Sequence, residues 1–143
     1  MKKILLALVL AISLSGCLLV PFINAYNEMG WSPESRKELL SKSLKRYSNS
    51  LSSQNIQDLA NFITADKRYE LARGFVDPNT KMVDGRINFI DFDSDAKKAN
   101  IDFVVRYYQI PFYVVKERTE KLTWEFEGSD DGWKIHDRKV QDN

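Results

Sequence analysis

The chain contains few of the residues from which catalytic and metal sites are usually built. Of its 143 residues, one is a cysteine, Cys17, and one is a histidine, His136. A lone cysteine excludes intrachain disulfides, so stability must come from packing, and zinc lacks a set of sulfur and nitrogen ligands. The chain also has no Gly-x-Ser-x-Gly elbow from which a Ser/His/Asp hydrolase could be built. The sequence therefore carries no reaction signature.

The first 17 residues have the pattern of a lipoprotein signal. Lys2 and Lys3 precede an apolar run from Ile4 to Leu14, and Leu14, Ser15, Gly16 and Cys17 follow. A basic flank stays on the cytoplasmic side, and small residues before the cysteine let a peptidase approach the backbone. These four residues resemble the lipobox of bacterial lipoproteins. The resemblance implies that the chain is cut before Cys17 and that Cys17 carries a diacylglycerol and an N-acyl chain.

An uncleaved signal anchor is the alternative interpretation of this segment. The stretch from Ile4 to Ile23 approaches the roughly 20 apolar residues that cross a bilayer. Ser13, Ser15 and Gly16 interrupt it, however, and Pro21 would disturb a continuing helix. The only cysteine also lies where lipidation requires it, so we expect cleavage and firm attachment through several acyl chains.

Charge argues against nucleic acid as a partner. Residues 1–16 would be removed as the signal peptide, and 127 residues with 19 basic and 20 acidic side chains would remain. This size suits one domain, and no basic face interleaved with aromatics stands out. The expected organisation is a signal peptide over 1–16, a lipidated tether over 17–31 and a single domain over 32–143.

The tether is less polar than a free linker should be. It contains eight large apolar or aromatic residues: Leu18, Leu19, Val20, Phe22, Ile23, Tyr26, Met29 and Trp31. A solvated linker would be richer in glycine and serine, so we expect this segment to lie against lipid headgroups, the domain or a partner. Leu18, rather than aspartate, follows the cysteine, which by the sorting rule of Gram-negative lipoproteins implies the outer membrane and a domain facing the periplasm.

Helices are predicted in the first half of the domain. Ser32, Pro33 and Glu34 form a helix start, and a stripe of four residues at helical spacing follows: Leu40, Leu44, Tyr47 and Leu51. Five basic residues occupy the remaining arc, which we expect to be solvated: Arg36, Lys37, Lys42, Lys45 and Arg46. A second helix is expected from Ser52 or Ser53 to Ile63, and a third from Asp66 to Arg73, with Gly74 at its left-handed end.

Strand character dominates after Pro78. Arg86–Phe92 carries bulk on both faces and is expected within the sheet, and Asn100–Ile110 is similar. Phe112–Val115 and Leu122–Phe126 are predicted as one long strand, whose polar middle, Lys116–Lys121, faces water or twists away. A turn over residues 128–132 leads to a last strand, Trp133–Val140, with Trp133 and Ile135 on the core face. The fold class is α+β, with helices on one face of an antiparallel sheet of four to six strands.

The last two strands carry a resemblance to a known superfamily. Leu122-Thr123-Trp124-Glu125-Phe126, the turn, and Gly132-Trp133-Lys134-Ile135 resemble the ending of the nuclear transport factor 2-like superfamily, which includes ketosteroid isomerase-like and SnoaL-like proteins. The resemblance spans about Ser32 to Val140. It implies a cone-shaped, strongly curved sheet around the helices, a pocket at the open end and dimerisation through the sheet.

An isomerase-like site would need a carboxylate base in an apolar pocket and a donor for the oxyanion. Three aspartates offer the base and four tyrosines the donor, but none matches a family catalytic position: Asp66, Asp91, Asp102, Tyr69, Tyr107, Tyr108 and Tyr113. His136 is expected on the exposed side of the last strand, because Trp133 and Ile135 point inward. We therefore predict no catalytic residues.

Two further clusters invite a ligand interpretation. Asp91, Asp93, Asp95 and Asp102 have spacings like those of a calcium loop, but Ala96 replaces the glycine of the sharp turn, so a polar turn between strands is expected. Neither a metal nor another cofactor is predicted, apart from the acyl chains on Cys17. The aromatic candidates for a pocket or an interface are Tyr107, Tyr108, Phe112, Tyr113, Trp124 and Trp133.

The sequence favours a lipid-anchored, non-catalytic module that binds other envelope proteins or forms a homodimer. A small apolar-ligand or isomerase-like pocket is the second hypothesis, which a hollow interior would favour and a filled one would disfavour. An accessory role in a secretion or cell-wall assembly is the third.

Overall fold

The computed structural model describes Ala25, residues 29–73, Phe75 and residues 77–142. From residue 29 onwards, the described part of the chain has three helices before the strands: α1 over Pro33–Ser52, α2 over Ile56–Asn61 and α3 over Arg68–Arg73. Four strands follow: β1 over Thr80–Phe92, β2 over Lys98–Gln109, β3 over Lys116–Phe126 and β4 over Trp133–Asp142. The strands form one antiparallel sheet in the order β1-β2-β3-β4, with the helices packed on it. The predicted α+β class is confirmed.

Helix α1 begins as predicted. The Ser32 side chain accepts a hydrogen bond from the Ser35 backbone N–H, and the Ser35 side chain in turn accepts one from the Ser32 backbone N–H, both at 3.1 Å. This reciprocal capping box satisfies two N–H groups that the helix itself leaves without partners. The predicted apolar stripe is buried along the helix, from Leu40 to Leu51.

Arg36 is an exception on the polar arc. Only 7% of it is exposed, and its guanidinium donates to the carbonyls of Gly30, Trp31 and Asp95 at 2.6 to 3.2 Å. The expectation that Arg36 is solvated was wrong, because helical periodicity does not reveal a carbonyl-lined recess beside the helix. Arg36 joins the residues before α1 to the β1–β2 turn.

The second and third helices are shorter than predicted. Ser52 ends α1, and α2 begins after the N-cap Asn55, whose side chain accepts from the Asp58 N–H. Ile63 lies beyond α2 and forms a parallel bridge with Ile135 of β4. The third helix starts at Arg68 rather than at Asp66. Gly74, predicted at its end, lies outside the described residues.

Arg86–Phe92 lies within the sheet as predicted, but it belongs to an edge strand, β1, although its bulk on both faces is typical of a covered strand. A β-bulge between Ile87 and Phe89 explains the misleading pattern. Ile87 pairs with Phe103 on the core face of β2, whereas Phe89 pairs with Asp102 on the outer face. Because a bulge inserts an extra residue, simple alternation assigns these side chains to the wrong faces.

Strand β3 also differs from the prediction. Its polar part, Lys116–Lys121, belongs to the strand, while the apolar Phe112–Val115 lies outside it. Glu120 is fully buried, so the polar segment does not simply face water. The turn before β4 and the buried positions of Trp133 and Ile135 are confirmed.

Aromatic side chains fill the space between the sheet and the helices. The Tyr47 ring makes edge contacts with four other rings at centroid distances of 5.4 to 6.2 Å: Phe62, Phe75, Phe103 and Trp124. Trp133 donates its indole N–H to the Arg36 carbonyl at 2.8 Å. The space around Tyr47 is thus filled by side chains.

Candidate interaction site

A run of exposed apolar residues joins β2 to β3. Residues 110–115, Ile-Pro-Phe-Tyr-Val-Val, form this segment, which we call the apolar loop. Five of its side chains are large and exposed, by 40% to 79% of their surface: Ile110, Phe112, Tyr113, Val114 and Val115. Monomeric proteins rarely expose contiguous apolar surface of this kind unless it contacts something.

The apolar loop is held at its base. The Ile110 N–H donates to the Asn79 carbonyl at 2.8 Å, and the N–H groups of Phe112 and Tyr113 donate to the Gln109 carbonyl at 2.9 and 3.2 Å. The Ile110–Pro111 peptide bond is cis. The Tyr113 ring lies 5.6 Å from the ring of Tyr108. These contacts fix the backbone and leave the side chains pointing outward.

The predicted aromatic candidates do not form one site. Tyr107, Trp124 and Trp133 are buried in the core, with at most 8% of each residue exposed. Phe112 and Tyr113 lie on the apolar loop, and Tyr108 is half-buried beside it. The strand alternation along β2 separates Tyr107 from Tyr108, so adjacent tyrosines serve opposite faces of the sheet.

A buried ion cluster lies on the core face of β3 and β4. The Glu120 carboxylate is fully buried and accepts from Arg138 Nε at 2.8 Å and Nη2 at 2.6 Å. Arg118 donates to the same carboxylate from Nε at 3.0 Å and Nη2 at 2.6 Å. The Tyr47 hydroxyl lies 3.5 Å from Glu120 Oε2. Sequence reasoning missed this cluster. Arg118 lies two residues before Glu120 on β3, and Arg138 on β4 pairs with Leu122, two residues after Glu120.

The electrostatics of the cluster keep Glu120 charged. Burial raises the pKa of the Glu120 carboxyl, but the hydrogen bonds and charges of Arg138 and Arg118 outweigh burial, so its pKa is lowered. Burial, followed by the charge of Glu120, raises the pKa of the Tyr47 hydroxyl well above its usual value. The arginine side chains also stack on rings, Arg138 on Phe75 and Arg118 on Tyr107.

This arrangement resembles an isomerase-like site only in composition. A carboxylate does lie beside a tyrosine, but the carboxylate already accepts hydrogen bonds from two guanidinium groups. A carboxylate with a lowered pKa is a weak base, and the packed rings around Tyr47 leave little room for a substrate. We interpret the cluster as a structural tie between α1, β3 and β4.

Two clefts adjoin the end of the sheet from which the apolar loop extends. One of about 270 Å³ is lined mainly by apolar residues, including Leu51, Leu59 and Phe75. The other, of about 230 Å³, is more polar and includes Arg118 and Tyr107. Phe75, Asp77 and Met82 border both clefts.

The remaining candidate residues lie apart from one another. His136 Nε2 lies 3.0 Å from Glu127 Oε1. Asp91 and Asp102 are on the outer face of the sheet, and Asp93 accepts the N–H groups of Lys97 and Lys98 in the predicted polar turn. Within the described part of the chain, no group of three or more potential metal ligands converges.

The lipidation residues lie outside the described part of the chain. Cys17 and the signal residues Leu14, Ser15 and Gly16 therefore remain predictions from the sequence. No helix among the described residues is long and apolar enough to cross a membrane.

Comparisons with known proteins give distant structural similarities only. No family model matches the chain, and the curated proteins give no match either. The intermembrane-space region of the chloroplast protein ARC6 is similar at 12% identity over 78% of this chain and 98% of its own, with a TM-score of 0.44. A TrwG component of a type IV secretion system from Bartonella birtlesii is 11% identical over 68% of this chain and 81% of its own, with a TM-score of 0.42. Neither similarity is close enough to carry an argument about function.

Proposed function

We propose that this protein is a lipid-anchored envelope protein that faces the periplasm and binds another envelope protein through the apolar loop. The single observation that carries the proposal is the exposure of five neighbouring apolar side chains on residues 110–115. Phe112 alone keeps 79% of its surface in solvent. Burial in an interface would remove this surface from water, which contributes about 25 cal/mol per Å² of apolar area.

The position of the apolar loop supports a partner in the periplasm. Arg36 ties Gly30 and Trp31 to the β1–β2 turn, at the end of the sheet opposite the β2–β3 connection. The 12 residues of β2 separate these two ends, a distance of about 40 Å at 3.3 Å per residue. The chain thus enters the domain from one end, and the apolar loop projects from the other.

Anchoring follows from the signal residues. Cys17 would carry the diacylglycerol and the N-acyl chain, and Leu18 favours the outer membrane. The packed rings around Tyr47 and the paired Glu120 support a non-catalytic role. Identification of the partner would decide whether the protein is an accessory part of a secretion or cell-wall assembly.

Photocrosslinking in intact cells tests the apolar loop. A crosslinkable amino acid at Phe112 should trap one defined envelope protein, whereas the same amino acid at Lys121, on the outer face of the sheet, should not. A reciprocal crosslink from that protein back to the loop should be lost in a Phe112→Ser/Tyr113→Ser variant that remains folded. Crosslinks from position 112 to lipid alone, or equal crosslinks from both positions, would contradict the proposal.

A small-ligand carrier is a second candidate, favoured by the apolar cleft beside Leu51 and Leu59. Its volume of about 270 Å³ lies just below the usual range of ligand pockets, which begins near 300 Å³. Saturable binding of an apolar fluorescent probe that Leu59→Trp abolishes would support this function. Binding that the substitution leaves unchanged would exclude this cleft.

A further inference from the structure

The second half of β1 is an uncovered sheet edge. Other edge segments are covered: Ile63 bridges Ile135 on β4, and the side chains of Ser48 and Gln54 donate to the carbonyls of Gly85 and Thr80 on β1, both at 2.9 Å. Among the described residues, no backbone group outside the sheet bonds to the stretch from Arg86 to Phe92. We call this stretch the free edge.

The free edge is apolar as well as open. Ile87 is 44% exposed and Phe89 is 57% exposed. Soluble proteins usually protect open edges with charges or prolines, because unpaired N–H and C=O groups bind other strands; here the two charges, Arg86 and Asp91, lie towards the ends and leave Ile87, Phe89 and Ile90 between them. An open edge that also exposes apolar side chains is therefore a surface on which another strand can pair.

The cross-strand partners in β2 show which side chains of the free edge share a face. Ile87 and Ile90 pair with Phe103 and Ile101 and so lie on the core face. Arg86 and Asp91 pair with Val104 and Asn100 on the outer face. The outer face of the free edge therefore carries one cation near one end and one anion near the other, with Phe89 between them.

This arrangement is complementary to itself. When two copies of the strand are placed antiparallel, related by a two-fold axis between Asn88 and Phe89, Ile87 of one copy lies opposite Ile90 of the other. Arg86 then lies opposite Asp91 of the second copy, and the same ion pair recurs on the other side of the axis. Each of these two kinds of pair joins residues on the same face, which sheet pairing requires.

We propose that two copies of this protein pair along the free edge and join their four-stranded sheets into one continuous antiparallel sheet. Backbone hydrogen bonds between the strands would be reinforced by two Arg86–Asp91 pairs and by the contact of the two Phe89 rings. Arg86 is available for this role because it is largely exposed and its present partner, Glu117, is 3.5 Å away.

The contact is small, which limits its strength. The seven residues per copy of the free edge are fewer than the roughly 20–30 residues on each side of a stable interface. Lys37 lies over the Phe92 ring at 5.6 Å, and Lys45 lines a cleft with Ile87, so both add positive charge near the edge. We therefore expect weak pairing in dilute solution and stronger pairing where copies are concentrated, as on a membrane.

Disulfide trapping tests the register. Full-length protein with Phe89→Cys, in mild detergent and with added oxidant, should form a disulfide-linked dimer. Beside the axis, the Cα atoms of position 89 in the two copies would lie about 6 Å apart, within the roughly 4.4 to 6.8 Å that a disulfide usually spans. Lys121→Cys, in the middle of the outer face, is the matched control, and the unsubstituted protein controls for Cys17. Equal dimer formation by Phe89→Cys and Lys121→Cys would overturn the proposal.

Charge reversal tests the ion pairs in the Phe89→Cys background. Arg86→Asp or Asp91→Arg alone should lower the yield of trapped dimer about tenfold, since each places like charges opposite one another twice. The double variant should restore the yield, which a loss of folding would not do. Failure of the double variant to recover would refute this register, and it would leave the crosslinking result for the apolar loop unaffected.

Discussion

Glu120→Gln is the substitution for which the structure makes the sharpest stability prediction. The Glu120 side chain accepts four N–H contacts from Arg118 and Arg138 at 2.6 to 3.0 Å, and it is fully buried. Glutamine keeps the shape but removes the negative charge, and its NH₂ group would point a donor at a guanidinium. Two largely buried cations, with 12% and 5% of their side chains exposed, would then lack a counter-ion.

The size of the effect follows from this imbalance. Removing one partner of a buried ion pair costs about 3–5 kcal/mol, because the remaining charge is left uncompensated. A domain of this size has a total stability of about 5–15 kcal/mol, so the variant should fold but with a much lower margin. The matched control is Glu117→Gln, on the outer face of the same strand, where Glu117 pairs with Arg86 at 3.5 Å in solvent. That change should cost less than about 1 kcal/mol.

Urea unfolding followed by tryptophan fluorescence measures both values, since Trp124 and Trp133 are buried and report on the core. A loss below about 1 kcal/mol for Glu120→Gln, equal to that of the control, would refute the role assigned to the ion cluster. A third variant separates charge from packing: Arg118→Met/Glu120→Leu/Arg138→Met removes all three charges together. It should recover most of the stability, because apolar replacement of a whole buried ion cluster is often neutral.

Three further predictions follow from single contacts. Folding lowers the pKa of Glu120 from its usual value of about 4.5, so the stability that its charge contributes should be fully present above about pH 5 and should be lost as the pH falls below that value. The stability difference between wild type and Glu120→Gln should therefore shrink in acid. A pH-independent difference would contradict this. Gly85→Ala should cost about 1–3 kcal/mol in urea unfolding, since an added Cβ would lie 2.3 Å from the Phe103 ring; an unchanged midpoint would show that the ring moves aside freely. Arg36→Ala should lower the free energy of unfolding by about 1–3 kcal/mol, because the carbonyls of Gly30 and Asp95 lose their donor. The control Lys37→Ala, one position on, should change it by no more than about 0.5 kcal/mol. Equal effects would contradict the structural role of Arg36.

Periodicity and capping chemistry predicted much of the scaffold. Ser32 and the stripe from Leu40 to Leu51 were sufficient for α1, because both signals are local to the helix. The last strand was predictable for the same reason: a turn rich in glycine and aspartate precedes alternating Trp133 and Ile135. The α+β class then follows from the order of helices and strands along the chain.

Errors arose where the decisive contact is distant in sequence. Ile63 has helical spacing relative to Leu59, yet it bridges Ile135, more than 70 residues later. Phe112–Val115 has the composition of a strand, but the chain turns there and the strand begins at Lys116 instead. In the same way, Arg36 looks like any other cation on a polar arc until the recess of carbonyls around it is known.

The candidate surfaces could be predicted only in part, and for opposite physical reasons. Phe112 and Tyr113 were singled out because aromatic residues are conspicuous, but their exposure depends on where β2 ends, which composition does not define. Glu120 falls in a polar segment predicted to face water or twist away; burying a charge is costly, and the compensating Arg138 comes from another strand. From hydrophobicity alone, the buried ion cluster is predicted to lie on the surface and the exposed apolar loop to lie in the core. Hydrophobicity predicts burial only for residues whose partners lie within the fold. Apolar residues that are exposed in spite of this rule lie on the apolar loop and along the free edge. These are the residues at which we expect contacts with other chains.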